Sequence, residues 1–176
     1  MPAHFLLETP RLVLRELADD DLDFVAAMLG DPEVMRYYPK PLSRMEAKGW
    51  LDRQRTRYAT EGHGLWLTLE RETLKPVGQV GLVMQNVSEL GATPTPEIGY
   101  LLDRSVWGRG YATEAALAVR QHAFETLAYP RVIALIRPEN TRSQAVALRL
   151  GMRIIAETTY VGFAHSVYGL DSAAIA

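Results

Sequence analysis

The chain has 176 residues, the length of one domain that can bury a continuous core. Its formal net charge of −2 gives no general attraction to nucleic acid or to an anionic membrane. The lack of cysteine excludes disulfides, thiolate catalysis and cysteine-bound zinc, and it fits a cytoplasmic protein. No apolar run approaches the roughly 20 residues that span a bilayer, and the first residues show no signal-peptide pattern.

The first half of the sequence mixes strand and helix signals. Its patterns predict a strand at 11–17, a helix from 19–21 toward Gly30, a helix from Ser43 to about Thr60, strands near 65–69 and 77–83, and a loop at 87–96. The clearest signal is the capping box of Ser43 with Glu46, whose side chains satisfy each other's backbone N–H groups.

The second half alternates strands and helices more regularly. Its patterns predict a strand at 97–102, a helix from about 109 to 127, a strand at 131–136, a helix at 140–150 and two closing strands at 154–161 and 162–170. Together with the first half, this order predicts one α/β domain over residues 1–176, built on a mixed sheet.

The loop between the strand at 97–102 and the following helix predicts an anion site. Gly108 and Gly110 let a ligand approach the backbone, and the first turn of a helix presents unpaired N–H groups with a partial positive charge. Arg109 adds a mobile cation, so the segment predicts a site for a phosphorylated ligand such as a pyrophosphate. The sequence lacks the G-x-x-x-x-G-K-[ST] pattern of a P-loop. It also has Thr113 where a dinucleotide-binding fingerprint needs a third small residue, so both motifs are excluded. A tight turn without a ligand is the alternative.

Several ordered motifs resemble one enzyme family over almost the whole chain. They are Glu8–Arg15 (ETPRLVLR), Asp31–Met35 (DPEVM), Glu97–Tyr100 (EIGY), Trp107–Ala115 (WGRGYATEA), Pro138–Asn140 (PEN) and Leu150–Met152 (LGM). On these residues the chain is similar to the GNAT-family N-acetyltransferases, in particular the RimJ/RimL-like branch that acetylates N-terminal amines of ribosomal proteins and related targets. The resemblance implies a single GNAT-like domain whose mixed, mostly antiparallel central sheet is flanked by helices.

The resemblance implies acetyl-CoA as co-substrate and no metal. The family's coenzyme loop is usually written Q/R-x-x-G-x-G/A, and here Trp107, Gly110 and Ala112 take its three defined positions. The implied coenzyme contacts are Gly108, Arg109, Gly110, Tyr111, Ala112 and Thr113 in the loop and helix start, Tyr100, Leu101 and Leu102 on the preceding strand, and Asn140 and Ser143. For Asn140, an N-cap of the helix at 140–150 is an equally strong alternative.

Acetyl transfer to an amine needs a base, an oxyanion donor and a proton for the leaving thiolate. Glu97 is the candidate base, with a solvated strand-end carboxylate as the alternative and Glu157 as a weaker candidate. An amide N–H near Leu102 is the implied oxyanion donor. Many family members have a Tyr seven residues after the Asn, where this chain has Ala147. Ser143 is then the candidate acid; hydrogen bonding in the first helical turn is its alternative role, and solvent an alternative proton source.

The implied acceptor is a primary amine, either a protein or peptide N-terminus or a small amine. An α-amine has a pKa of about 7.7–8.0 against about 10.4 for lysine, so a site with one modest base favours an N-terminus. Homodimers occur among relatives, although no segment here predicts one, and no nucleic acid or membrane partner is expected. The alternative from another class is a non-catalytic acyl-CoA-binding or regulatory domain, which Ala147 keeps open.

Several other residues have simpler interpretations. Tyr37, Tyr38, Trp50 and Trp66 are candidates for the wall of an acceptor pocket, with a place in the core favoured for Trp50 and Trp66. Tyr38 and Pro39 lie in a segment where relatives of the family gate the acceptor. The arginines at 53, 55 and 57 alternate along a helix and are predicted to be solvated. The four histidines show no metal-ligand spacing.

Overall fold

The computed structural model describes residues 5–175, and all elements below belong to that range. The strands are β1 (Leu7–Glu8), β2 (Leu12–Arg15), β3 (Leu65–Glu70), β4 (Pro76–Gln85), β5 (Thr95–Leu102), β6 (Arg131–Ile136), β7 (Arg153–Tyr160) and β8 (Phe163–Asp171). The α-helices are α1 (Leu22–Gly30), α2 (Arg44–Glu61), α3 (Tyr111–Gln121) and α4 (Thr141–Arg149). No helix in residues 5–175 is long and apolar enough to cross a membrane.

All eight strands form one sheet in the order β1-β2-β3-β4-β5-β6-β8-β7. Every neighbouring pair is antiparallel except β5 and β6, which run parallel. The predicted α/β class with a mixed, mostly antiparallel sheet is therefore confirmed. Whereas β4 and β5 pair along eight positions, β5 and β6 pair only at Glu97 with Ile133, so these two strands diverge beyond it.

Both faces of the sheet bury apolar side chains, and successive strand residues serve opposite faces as the pleat requires. Leu12 and Leu14 of β2 join a core that includes helices α3 and α4. Val13 between them joins a second core formed with α1 and α2. The same alternation on β5 places Ile98, Tyr100 and Leu102 toward α3 and α4, and it leaves Glu97 and Leu101 on the face of α2.

Element boundaries differ from the sequence prediction where backbone conformation decides them. The helix expected from 109 begins at Tyr111, because Gly110 has φ +80° and cannot continue a right-handed helix. The strand expected at 162 begins at Phe163, since Val161 and Gly162 have positive φ in a turn. The short β1 is paired to β2 by only two residues and was not predicted. The capping box of Ser43 at the start of α2 is confirmed.

Candidate active site

The divergence of β5 from β6 opens a cavity of about 420 Å³. Its walls come from the segment before α2, from α2 itself, from β4, β5 and β6, from the start of α4 and from the β7–β8 hairpin. The residues that concern its chemistry are Tyr37, Tyr38, Trp50, Arg53, Arg57, Gln85, Glu97, Gly99, Tyr100, Leu101, Arg137, Asn140, Ser143, Tyr160 and Phe163. The cavity thus brings together residues separated by more than 100 positions in the sequence.

Backbone groups of β5 face the gap. Asp103 N donates to Val77 O at 2.9 Å, and in an antiparallel pair the hydrogen-bonded positions alternate. Leu101 therefore pairs its backbone with β4, whereas Tyr100 and Leu102 direct theirs toward β6. The carbonyl of Leu102 accepts from Trp107 Nε1 at 2.9 Å, while its N–H is directed into the gap. Of the three predicted strand contacts, Leu101 thus offers its side chain rather than its backbone.

The loop before α3 presents a continuous set of amides. Gly108 and Gly110 have φ values of +77° and +80°, and a Cβ at Gly108 would meet no atom within 4 Å. The first helical bond at this end runs from Glu114 N to Gly110 O at 3.0 Å. Within residues 5–175, the N–H groups of 108–113 find no hydrogen-bond acceptor. The helix terminus is consequently open to an anion, as the sequence predicts.

Two side chains of this loop turn toward Glu70. Arg109 lies 3.6 Å from it, measured from Nη1 to Oε1, and Tyr111 donates its hydroxyl to the same carboxylate at 3.2 Å. Arg11 donates to Arg109 O at 3.0 Å and fixes the loop from the N-terminal side. A phosphate contact from the Arg109 side chain stays a prediction, since it requires this half-exposed guanidinium to leave Glu70.

Glu97 lies in the cavity wall with both carboxylate oxygens engaged. Gln85 Nε2 donates to Oε2 at 2.6 Å, and Leu135 N donates to Oε1 at 3.1 Å. Burial raises the pKa of Glu97 to about 7, although these two hydrogen bonds and the charge of Arg57 act to lower it. Glu97 is thus a partly buried, hydrogen-bonded carboxylate rather than a freely solvated one at a strand end. Glu157 instead lies exposed on β7 and lines a separate cavity of about 310 Å³.

Asn140 and Ser143 lie where β6 leads into α4. Asn140 Oδ1 accepts from Ser143 N at 3.2 Å, so the N-cap interpretation of Asn140 is confirmed, and a contact with the coenzyme stays a prediction. The backbone carbonyl of Ser143 accepts from Tyr100 Oη at 2.9 Å. Ser143 lines the cavity, with its side chain beside Tyr100. Ala147 is fully buried in the core.

Aromatic side chains close the end of the cavity near α2. Tyr38 packs edge-on against Trp50 with ring centroids 6.3 Å apart, and Trp50 Nε1 donates to Gln79 at 3.0 Å. Trp50 therefore lines the cavity as well as packing against the core, so both of its predicted settings occur. Trp66 is buried in the core as predicted.

Arg53 and Arg57 were predicted to be solvated. Arg53 is exposed as predicted and also borders the cavity, whereas Arg57 is partly buried in the cavity wall, which corrects its prediction. Positions four apart share a helix face, so the spacing of these two residues carried a signal that their alternation with Arg55 obscured. Arg55 does point elsewhere, because its guanidinium contacts Asp19 at 2.8 Å. The remaining lining from the β7–β8 hairpin, including Tyr160 and Phe163, had no sequence signal.

The sequence matches the family described as acetyltransferase (GNAT) domain over residues 11–153. The chain belongs to the GNAT family of acetyltransferases. The predicted enzyme class, an acyltransferase, and the suspected family are thereby confirmed. Within residues 5–175, no group of three or more His, Asp or Glu side chains is placed to hold a metal ion.

Relatives of this GNAT chain include proteins named as acetyltransferases. The uncharacterized protein YkkB of Bacillus subtilis is 33% identical over 86% of this chain and 87% of its own. An acetyltransferase from Agrobacterium tumefaciens has a similar structure, with a TM-score of 0.81, 30% identity and coverage of 93% and 92% of the two chains. RimL, an acetyltransferase of ribosomal L7/L12 solved with coenzyme A, shares the fold at a TM-score of 0.75 and 16% identity, over 96% and 98%.

Proposed function

We propose that the protein transfers the acetyl group of acetyl-CoA to a primary amine by direct attack in a ternary complex. One observation carries the proposal: a carboxylate whose pKa is raised to about 7, Glu97, lies in a cavity that the divergence of β5 and β6 opens. The unpaired amides of residues 108–113 add a second, independent site suited to a pyrophosphate.

Coenzyme binding would use backbone groups of the loop before α3 and of strand β5. The amides of residues 108–113 would hold the pyrophosphate, with Gly108 and Gly110 allowing its close approach. The backbone N–H and C=O of Tyr100 would hydrogen-bond to amide groups of the pantetheine arm, because a strand edge without a partner satisfies such groups. Leu102 borders the same arm, and its N–H stays available for the reaction itself. Asn140 at the start of α4 borders the same cavity and supplies a side-chain amide.

The chain's own groups fit the three tasks of the reaction. Glu97 would accept the proton of the attacking amine, since a base is most effective when its pKa lies near the working pH. The N–H of Leu102 would donate to the oxyanion of the tetrahedral intermediate. The hydroxyl of Ser143, a residue that lines the cavity, is the candidate proton donor to the thiolate. Solvent is the other proton source, because a thiolate whose thiol has a pKa of about 8.5 leaves readily without a proton donor from the protein.

The acceptor proposed is a protein or peptide N-terminus or a small amine. RimL is named for α-amino acetylation of a ribosomal protein, and a solved structure from Vibrio cholerae, 25% identical over 97% of this chain and 99% of its own with a TM-score of 0.77, is described as a putative ribosomal-protein-serine acetyltransferase. A relative in Aspergillus fumigatus, 30% identical over 83% of this chain and 64% of its own length, is named FsC-acetyl coenzyme A-N(2)-transacetylase.

The first prediction tests the base. Purified protein with acetyl-CoA and a panel of N-terminal peptides and small amines is expected to release free CoA, measured with a thiol reagent. Glu97→Gln is expected to lower kcat/KM by about 100-fold to 10,000-fold, the usual contribution of a general base, while the Kd for CoA stays unchanged. Glu157→Gln is the matched control, because Glu157 is exposed outside this cavity.

A non-catalytic acyl-CoA-binding domain is the second candidate function. The buried Ala147 at the position where many family members have a Tyr favours it, because that position offers no proton donor. Tight binding of acetyl-CoA without CoA release from any acceptor of the panel would establish this candidate and reject the transferase.

A further inference from the structure

The α2 wall of the cavity carries two cations with no anionic partner. Arg53 and Arg57 are one helical turn apart on α2, and both line the cavity. Within residues 5–175, neither guanidinium forms an ion pair with a carboxylate. Arg55, between them in sequence, is paired with Asp19 at 2.8 Å. Of these three arginines, Arg55 is neutralised by an ion pair, whereas Arg53 and Arg57 face the cavity without one.

Arg53 lies beside Trp50, and Arg57 lies near Glu97. The guanidinium carbon of Arg53 lies 5.8 Å from the ring centroid of Trp50, and the indole N–H of Trp50 is fixed by Gln79. Arg57 is partly buried and lies close enough to Glu97 for its charge to favour the ionised carboxylate. An anion bound between the two arginines would consequently lie near the proposed base.

The opposite wall carries a third arginine, which is already paired. Arg137 lies over the ring of Phe163, with 4.2 Å from its guanidinium carbon to the ring centroid, and its Nε lies 3.5 Å from Glu139 Oε2. Of the described residues that line this cavity, Glu97 alone is a carboxylate. Arg53 and Arg57 are thus two unpaired guanidinium groups that face one carboxylate, whose pKa is raised to about 7. Such an excess attracts an anionic ligand and disfavours polyamines and lysine-rich peptides.

We propose that the acceptor amine carries a carboxylate, and that Arg53 and Arg57 bind this carboxylate while the amine faces Glu97. The inference rests on the proposed function, because it assigns the substrate class of the same site. Planar guanidinium groups suit a carboxylate, since they offer two parallel N–H donors. A free amino acid and a peptide with an acidic residue beside its N-terminus share this chemistry.

The second prediction compares acceptors that differ in one charge. Ser-Glu-Gly-Gly amide and Ser-Gln-Gly-Gly amide have the same N-terminal residue and differ only in the side-chain carboxylate. Alanine and alaninamide form the small-molecule pair. The amine of alaninamide has the lower pKa and is more often neutral, so this difference by itself favours alaninamide and acts against the proposal. For at least one pair, kcat/KM for the carboxylate member is expected to exceed that of its partner by about tenfold to 100-fold, the value of a charge-assisted hydrogen bond.

Variants of α2 assign the preference to its residues. Arg53→Gln and Arg57→Gln are each expected to reduce the ratio of kcat/KM between the two members of the preferred pair, and Arg57→Lys to restore part of it. Arg55→Gln, with the same change on the same helix, is expected to keep the full ratio. Calorimetric binding of the acceptor to protein saturated with CoA, which carries no acetyl group, gives the same comparison without turnover, and retained CoA affinity shows that each variant is folded.

The outcomes separate this inference from the function on which it rests. A preference confined to alanine assigns the carboxylate to a free amino acid, and one confined to the Glu peptide assigns it to an acidic N-terminal sequence. Equal kcat/KM within both pairs, with CoA released from all four acceptors, overturns the carboxylate assignment and leaves acetyl transfer intact. No CoA release from any amine of the wider panel overturns both. A preference that Arg53→Gln and Arg57→Gln leave unchanged also overturns the assignment.

Discussion

The carboxylate of Glu97 shows how opposing effects set one residue's chemistry. Burial in the cavity wall favours its neutral form, and the hydrogen bonds from Gln85 and Leu135 favour its charged form. Burial is the larger effect, so the pKa rises to about 7. A base at this value is partly ionised at neutral pH and still strong enough to accept a proton.

The third prediction concerns the pH dependence of this base. Because the proposed base, Glu97, accepts a proton only in its ionised form, kcat is expected to rise with pH below about 7 and to level above it. Gln85→Leu removes a hydrogen bond that stabilises the ionised form, so the rising limb is expected to move to higher pH. The measurement is kcat against pH, with Gln121→Leu as the control because Gln121 is exposed on α3. A limb that stays in place when Glu97 becomes Gln would reject this assignment.

At the scale of elements, the loop and the first turn of α3 act as one unit. Gly110 has a left-handed conformation, and its carbonyl accepts the first helical bond while the amides of residues 108–113 stay unpaired. The aligned peptide dipoles of α3 add positive potential at the same place. Any side chain at Gly110 strains this turn, and an acidic one also repels an anion.

The fourth prediction tests this unit. Gly110→Asp is expected to weaken CoA binding by about 100-fold or more, because it combines backbone strain with repulsion of the pyrophosphate. Gly62→Asp is the matched control: Gly62 has φ +75° and open space around its Cβ, but it ends α2. Calorimetric titration with CoA is the measurement. Comparable losses of affinity in both variants would show that strain alone, rather than the anion site, is responsible.

Local signals in the sequence were sufficient for most elements and for the loop before α3. Hydrophobic period, capping residues and glycines act within a few positions, which is why helix α2 and strand β5 appear close to where they were predicted. The acceptor end of the cavity was not predictable in this way, because Arg57, Gln85 and Tyr160 come together only through the order of strands in the sheet. The four-residue spacing of Arg53 and Arg57 was present in the sequence, but the predicted solvent exposure holds for Arg53 and not for Arg57.

At the scale of the whole molecule, the N-terminal strands are tied to the start of α3. Thr9 Oγ1 donates to Glu114 at 2.7 Å, and Arg11 N donates to the same oxygen at 2.9 Å. The Arg11 guanidinium adds a contact of 2.6 Å to Glu114 Oε2. Burial tends to raise the pKa of Glu114, but the hydrogen bonds and charge from Thr9 and Arg11 exceed it, and the net pKa is lowered. One carboxylate thus connects segments more than 100 residues apart.

The fifth prediction follows from this tie. Glu114→Gln is expected to lower the free energy of unfolding by about 2 kcal/mol, because it removes charge-assisted hydrogen bonds at a mostly buried group. Since the folded pKa is lowered, the contribution is full above the unfolded pKa of about 4.5 and is lost as pH falls through the folded value. Urea unfolding at pH 7 and at pH 3 measures both, with Glu125→Gln on the exposed side of the helix end as control. An equal loss at both pH values would contradict the assignment.

Because β5 and β6 pair at a single position, most of their facing edges have no hydrogen-bond partner in the sheet. The free edges are main chain, and every residue type except proline presents the same N–H and C=O there. Mutation can therefore alter the side chains around the opening while the hydrogen-bonding pattern of the edges persists. For the proposed transferase, the main chain can thus keep binding one reactant while changes in the surrounding side chains alter which second reactant is accepted.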